Sequence, residues 1–145
     1  MVHRSSFATP RPACSAEVAE QEIITVLDKD RLLAILREEG FTADVNENGI
    51  LIWKLGGYRT QLFISEKTGS NIQFHSSFGD GSATLKKVND WNATKRYSKT
   101  YLDDEGDPHL ELDLDLEGGV TRARLVDFLR TCRQSFDVWL REVVE

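Results

Sequence analysis

The chain predicts an α+β domain: an antiparallel sheet, built from a four-stranded meander and a C-terminal hairpin, with helices packed on it. Three observations carry this prediction. Leu110 to Glu117 alternates leucine and acid without a break, the period of a strand with one face buried and one wet. Three turn clusters, Asn46-Glu47-Asn48-Gly49, Gly56-Gly57 and Glu66 to Ser70, cut the preceding stretch into strand-length pieces. Leu125, Phe128, Leu129, Cys132, Phe136, Trp139, Leu140 and Val143 recur at helical spacing down one face.

The elements follow in the order α-β-β-β-β-α-β-β-α. Met1 to about residue 19 is polar, proline-containing and aperiodic, and reads as a flexible tail ahead of a single domain spanning residues 20–145. Glu20 to Leu27 fits either an extended lead-in or an extension of the first helix. That helix runs Asp28 to Glu39. Asp28 is its N-cap, Leu32, Leu33, Ile35 and Leu36 are its apolar stripe, and Gly40 sits at its left-handed end. The meander strands are about Phe41–Val45, Ile50–Leu55, Tyr58–Ser65 and Asn71–Phe78.

Turn geometry sets their register. A two-residue turn at Gly56-Gly57 pairs Leu55 with Tyr58, Trp53 with Thr60 and Leu51 with Leu62. A turn centred on Thr68 pairs Ile64 with Ile72, Leu62 with Phe74, Thr60 with Ser76 and Tyr58 with Phe78. Both hairpins then place Leu51, Trp53, Leu55, Tyr58, Leu62, Ile64, Ile72, Phe74 and Phe78 on one face, which is the core. A one-residue slip would scatter that set. The other face collects Ile50, Ile52 and Phe63 among Lys54, Arg59, Gln61, Gln73 and His75. Three large apolar groups on a wet face call for a cover: a helix, the tail, or a protein or dimer partner.

A short helix follows at about Ser82–Ala93, with Leu85, Val88, Trp91 and Asn92 facing inward. Next comes a hairpin of Lys95–Leu102 and Pro108–Leu116. Thr121 starts the last helix of about 24 residues, with Val120 and Leu125 placed for a hydrophobic staple. The hairpin reverses charge along its length. Residues 84–101 hold five bases and one acid, while residues 103–119 hold eight acids and no lysine or arginine. A turn centred on Glu105 sets Lys99 against Glu111, Tyr97 against Asp113 and Lys95 against Asp115, a cross-strand ladder of opposite charge. A register shifted by one pairs Arg96 with Asp113 instead. The alternative use of Glu111, Asp113 and Asp115 is an acidic stripe that docks a basic partner segment.

Composition limits the function classes. A content of 40% hydrophobic and 29% charged residues suits a soluble globular domain, and 145 residues bury enough surface for an unstapled core. A net charge of −6 argues against a general nucleic-acid binder. Cys14 and Cys132 make no disulfide framework, and neither a signal peptide nor a membrane span is legible, so a cytoplasmic setting is expected. Asp103 to Asp107 lacks the acid spacing of a calcium loop. His3, His75 and His109 lie far apart in sequence without ligand spacing, so no metal site is expected. No serine sits in a nucleophile elbow and no glycine run makes a phosphate loop, so neither catalytic nor cofactor-binding residues are assigned. Trp53, Trp91 and Trp139 read as core rather than as a ligand cage.

Val88-Asn89-Asp90-Trp91-Asn92, Lys95-Arg96-Tyr97, Tyr101, Gly106-Asp107, Leu112-Asp113-Leu114 and Gly118-Gly119-Val120 together resemble the bacterial YbjN-type family, over roughly Ile23 to the C-terminus. Members of that family are described as sensory transduction regulators. The resemblance implies a fold similar to type III secretion chaperones, often dimeric, which bind extended segments of partner proteins and catalyse nothing. It assigns Trp91 as the anchor of the short helix and Asn92 as a bond to backbone at the helix end. The expected function is a non-enzymatic, chaperone-like homodimer that binds a protein partner in bacterial signalling or stress regulation. Its surface would use Ile50, Ile52, Phe63, Glu111, Asp113 and Asp115, without cofactor, nucleic acid or membrane. Two alternatives remain: a small-ligand protein or enzyme with a site between sheet and C-terminal helix, and a structural subunit of a larger assembly.

Overall fold

A computed structural model describes residues 19–79 and 81–145. The predicted N-terminal tail, with Cys14 and His3, lies outside the described residues. The elements are β1 (Ile23–Ile24), α1 (Lys29–Glu38), β2 (Thr42–Val45), β3 (Leu51–Leu55), β4 (Tyr58–Ile64), β5 (Asn71–Ser77), α2 (Leu85–Thr94), β6 (Ser98–Leu102), β7 (Pro108–Asp115), β8 (Val120–Thr121) and α3 (Arg122–Trp139), with a π-helical end at Leu140–Val144. The class is α+β, as the alternation and helical stripes require.

Local chemistry sets the boundaries. Asp28 Oδ1 accepts the Arg31 amide at 2.8 Å and caps α1. At the other end Gly40 takes φ +84°, and the amides of Gly40 and Phe41 donate to Arg37 and Leu36 carbonyls, closing the helix in a Schellman motif. Thr121 Oγ1 accepts the Arg124 amide at 3.0 Å and starts α3. In the undecided stretch Glu20–Leu27, Glu20 and Gln21 lie in a helical turn and the rest is an extended lead-in, because Ile23 and Ile24 pair with Thr121 and Val120. That lead-in crosses the β4–β5 turn at Gly69, whose carbonyl accepts the Leu27 amide at 2.8 Å. Gly69 has φ +65°, and a Cβ there would stand 2.9 Å from the Leu27 carbonyl oxygen, so only glycine fits the crossing.

Six strands form one antiparallel sheet in the order β2-β3-β4-β5-β7-β6. The meander register is the predicted one along both ladders: Leu55 with Tyr58, Trp53 with Thr60, Leu51 with Leu62, Leu62 with Phe74 and Ile64 with Ile72. The β4–β5 ladder stops at Gln61 and His75, short of the predicted pairs Thr60–Ser76 and Tyr58–Phe78. The C-terminal hairpin joins the meander through β5–β7, which pairs Phe74 with Leu112 and His75 with Glu111. The helices pack on the face carrying Leu51, Trp53, Leu62, Ile72, Phe74, Leu110, Leu112 and Leu114, all buried. Arg122 on α3 bridges Glu38 of α1 and its C-cap Glu39 at 3.0 and 3.2 Å and ties the two helices together. Trp53, Trp91 and Trp139 are core residues.

Several expectations need correction. Leu85 is 74% exposed, because α2 starts there and only Val88 and Trp91 turn inward. Tyr97 adopts φ +72°, which ends strand geometry and starts β6 at Ser98. The charge ladder therefore has one rung: Lys99 Nζ lies 3.3 Å from Glu111 Oε1. Lys95 turns away to Glu142 at 3.1 Å and lies 5.4 Å from the Trp91 ring centroid. Tyr58, assigned to the core, is 43% exposed and covers the core edge against Phe78 and Phe136.

Candidate functional site

The sheet face opposite the helices carries the polar residues of every long strand, and it is here that chemistry collects. His75 on β5 and His109 on β7 are 34 positions apart in sequence, yet His75 Nε2 and His109 Nδ1 lie 2.9 Å apart. The cause is the β5–β7 register, which sets Ser77 opposite His109 and so brings His75 diagonally beside it. His109 Nε2 lies 2.8 Å from Asp103 Oδ2, and His75 Nδ1 lies 2.9 Å from Gln61 Oε1. Tyr101 stacks flat on His109, with centroids 4.9 Å apart, and its hydroxyl donates to Glu111 Oε2 at 2.6 Å. Gln73 donates to Asp113 at 3.1 Å and more weakly to Glu111 at 3.4 Å.

The acidic residues therefore differ in environment. Glu111, expected on a solvated strand, is only 9% exposed, because β7 is an interior strand and Tyr101, Lys99 and Gln73 close over it. Asp113 and Asp115 stay exposed on the same face. The histidines, judged too distant to act together, form a pair. Sequence spacing could not show this, because the β5–β7 pairing is non-local. Among the described residues no group of three or more His, Cys, Asp or Glu side chains is arranged to hold a metal ion.

The proton affinities follow from these contacts. His75 is lowered, first by burial and then by the charge of His109, with Glu111 opposing. Asp103 is lowered, chiefly by the hydrogen bond from His109 and then by the Asp107 amide. For Glu111 burial is the largest single effect and acts upward, but hydrogen bonds from Tyr101 and Lys99, with the charges of Lys99 and His75, bring it down overall. Tyr101 is pushed up to about 12, first by its bond to Glu111.

These shifts set a pH dependence of stability. For the three lowered groups the unfolded chain binds protons more readily. Their contribution is complete above the unfolded values of 6.5, 4.5 and 3.8, and is lost as pH falls through the folded values. Tyr101 acts oppositely: its contribution is complete below 10 and lost as pH rises through about 12. Urea midpoints should fall between about pH 7 and pH 4, and His75→Gln should flatten the upper part of that slope. An unchanged slope in the variant would show that His75 does not titrate differently in the fold.

The apolar candidates also divide. Ile52 is 5% exposed and unavailable to a partner, whereas Phe63 is 38% exposed and Ile50 is half-buried. Ile50 and Phe63 line an open groove of about 820 Å³ between the Val26–Arg31 lead-in and the ends of β3 and β4. Val26, 56% exposed, forms the opposite wall, a residue sequence reasoning missed because the lead-in was undecided. The space between sheet and α3, proposed as an alternative ligand site, is filled by Phe74, Phe136 and Trp139.

Both sheet edges are occupied by side chains. On β6, Asn92 Nδ2 donates to the Thr100 carbonyl at 2.9 Å, and Asn92 Oδ1 accepts the Thr100 amide at 3.0 Å. Asn92 thus acts on the edge strand, not at the helix end as expected, while Trp91 Nε1 donates to Ser98 Oγ at 3.0 Å. On β2, Arg37 donates to the Ala43 carbonyl at 3.1 Å, and Asp44 takes the Val45 amide at 2.9 Å. Such capping blunts strand addition at an edge. No helix among the described residues is long and apolar enough to cross a membrane.

No curated protein matches the chain. The crystal structure of YbjN from E. coli is similar, with a TM-score of 0.60 and 21% identity over 78% of this chain and 87% of that one, a likeness of fold. The family model described as "Putative bacterial sensory transduction regulator" matches residues 28–145, from the cap of α1 through α3 and including the Trp91-Asn92 corner. The chain belongs to the YbjN family.

Proposed function

We propose that this protein is a bacterial regulator that acts by binding an extended segment of a partner protein, without catalysing a reaction. The observation that carries this reading is the groove at the sheet end, where Val26, Ile50 and Phe63 present apolar surface to solvent. The capped edges support it: a partner segment finds the face and its end groove open, not a free strand edge. The family description supports a regulatory role. The net charge of −6 and the exposed Asp113 and Asp115 favour a protein partner with a basic flank over nucleic acid. A cytoplasmic location and a homodimer belong to the same proposal.

The test uses displayed random peptides selected on the wild-type protein, with Phe63→Asp as the comparison. Substituting at Ile52 as well would confuse binding with folding, since Ile52 is buried. The selected peptides should be apolar and should lose about tenfold or more in affinity on Phe63→Asp, the scale of one anchor side chain. Equal affinity for the variant would remove the groove as the binding surface. Light scattering on the same two proteins tests the dimer: a wild-type dimer that becomes a folded monomer would give the groove to a second copy instead.

A further inference from the structure

Gln61, His75, His109 and Asp103 form one line across three strands and a turn, and its hydrogens can be counted. The line ends on two oxygens, Asp103 Oδ2 beside His109 Nε2 and Gln61 Oε1 beside His75 Nδ1. With the Gln61 oxygen turned to His75, the two acceptors require a hydrogen on His109 Nε2 and one on His75 Nδ1. With no other ring hydrogen, both imidazoles would be neutral. Their inner nitrogens would then face each other as two lone pairs at 2.9 Å, a repulsive arrangement.

A positive species between the rings removes that repulsion while the Gln61 oxygen stays on His75; the neutral way out turns the Gln61 amide and moves the His75 hydrogen to Nε2. A proton and a metal ion are the two chemistries available, and distance with direction separates them. The ring centroids stand 5.1 Å apart, close to the widest spacing that imidazoles can have when their nitrogens are 2.9 Å apart, so the inner lone pairs lie nearly on one line. A zinc ion on that line needs two bonds of about 2.0–2.1 Å, hence about 4 Å between nitrogens. About 2.9 Å is the length of an ordinary hydrogen bond from a ring N–H.

We propose that His75 and His109 form a proton-binding site on the open face, which holds one proton between Nε2 and Nδ1 and is opened by a second. The site does not depend on the groove or on any docking partner. Its single positive charge is balanced by Asp103 at one end and by Glu111 opposite His75. The other groups facing the pair are already engaged or lie further along their strands. Lys99 on β6 is held by Glu111, Asp113 on β7 by Gln73, and Tyr101 stacks on His109. Arg59 on β4 is two residues along from Gln61, and Gln73 and Ser77 flank His75 on β5. Asp107 lies in the turn that Asp103 organises through its amide.

Three self-consistent states follow. With one shared proton, three hydrogens lie on the four ring nitrogens and the Gln61 oxygen faces His75. When that proton leaves, His75 moves its remaining hydrogen to Nε2, and Gln61 turns its amide to offer NH₂ to Nδ1. When a second proton arrives, both inner nitrogens become donors and the contact breaks. Burial and the charge of His109 both oppose that second proton on His75, so the step belongs to the acid side. Its opening would disturb the Tyr101 stack and the Asp103 turn.

Two-bond ¹H–¹⁵N correlation spectra of ¹⁵N-histidine-labelled protein test the site directly. As the pH is lowered from the alkaline side, the pair should pass from two protonated ring nitrogens to three, and only at more acid pH to four. Both rings should respond at one common midpoint. In His109→Gln the common midpoint should be lost and His75 should titrate alone. Two rings with separate midpoints, each unmoved by substitution of the other, would overturn the proposal. Uptake of one equivalent of Zn²⁺, added as the chloride, by both inner nitrogens would overturn it too, because the site would then be a metal site. The wild-type hydrogen count decides the matter even where a variant fails to fold.

Discussion

Phe136→Ala should cost about 3–5 kcal/mol of stability, the range for truncating a fully buried aromatic. Phe136 is fully buried on α3 and is the aromatic hub between helix and sheet. Its ring lies 5.9 Å from Tyr58, 6.3 Å from Phe74, 6.3 Å from Phe78 and 6.2 Å from Trp139. Those neighbours sit on β4, on β5, just beyond β5 and on α3 itself, so no one of them can move in to fill the void. A cavity that cannot collapse gives the upper end of the range. In a chain of this size the melting temperature should drop by about 10–15 °C. A loss under about 1 kcal/mol would mean that α3 is not seated on the sheet as described.

Asn92→Ala should cost about 2–3 kcal/mol, although Asn92 is a small polar residue at the surface end of a short helix. Its side-chain amide makes a matched donor–acceptor pair with Thr100 and replaces a neighbouring strand for that residue. Removing it leaves the amide and carbonyl of Thr100 without these partners in the middle of the edge strand. Asn92→Asp should be worse than alanine, because a carboxylate can still accept from the Thr100 amide but repels the Thr100 carbonyl. Chemical denaturation measures the loss, and hydrogen exchange places it, since the Thr100 amide should lose protection first. If both substitutions were neutral, the Trp91-Asn92 corner would be a marker of family membership without a role in stability.

Much of the fold was legible, because its determinants are local. The meander register followed from turn positions and the alternation of Leu51, Trp53, Leu62 and Phe74, and each predicted pair that the ladder includes is present. Asp28, Gly40 and Thr121 marked helix ends through side-chain and backbone bonds within a few residues. The apolar patch was half legible. Strand parity put Ile50, Ile52 and Phe63 on one face, but parity does not say how deep each sits, and Ile52 is buried while Phe63 is not.

Periodicity, turn chemistry and capping by themselves determined the order of the helices and of the six strands of the main sheet, the hairpin registers and the face that becomes core, because each acts across a few residues. They did not determine the short β1–β8 pair, which joins the two ends of the domain. The tertiary structure decided how the two hairpins meet. The β5–β7 pairing closes a loop of more than thirty residues, and no local signal chooses its partner. That one pairing buries Glu111 and sets His75 against His109. The left-handed backbone at Tyr97 likewise left Lys99 as the sole partner of the predicted ladder. The chemistry of the open face therefore arises from strand assembly, in which residues distant in the chain become neighbours only when the sheet closes.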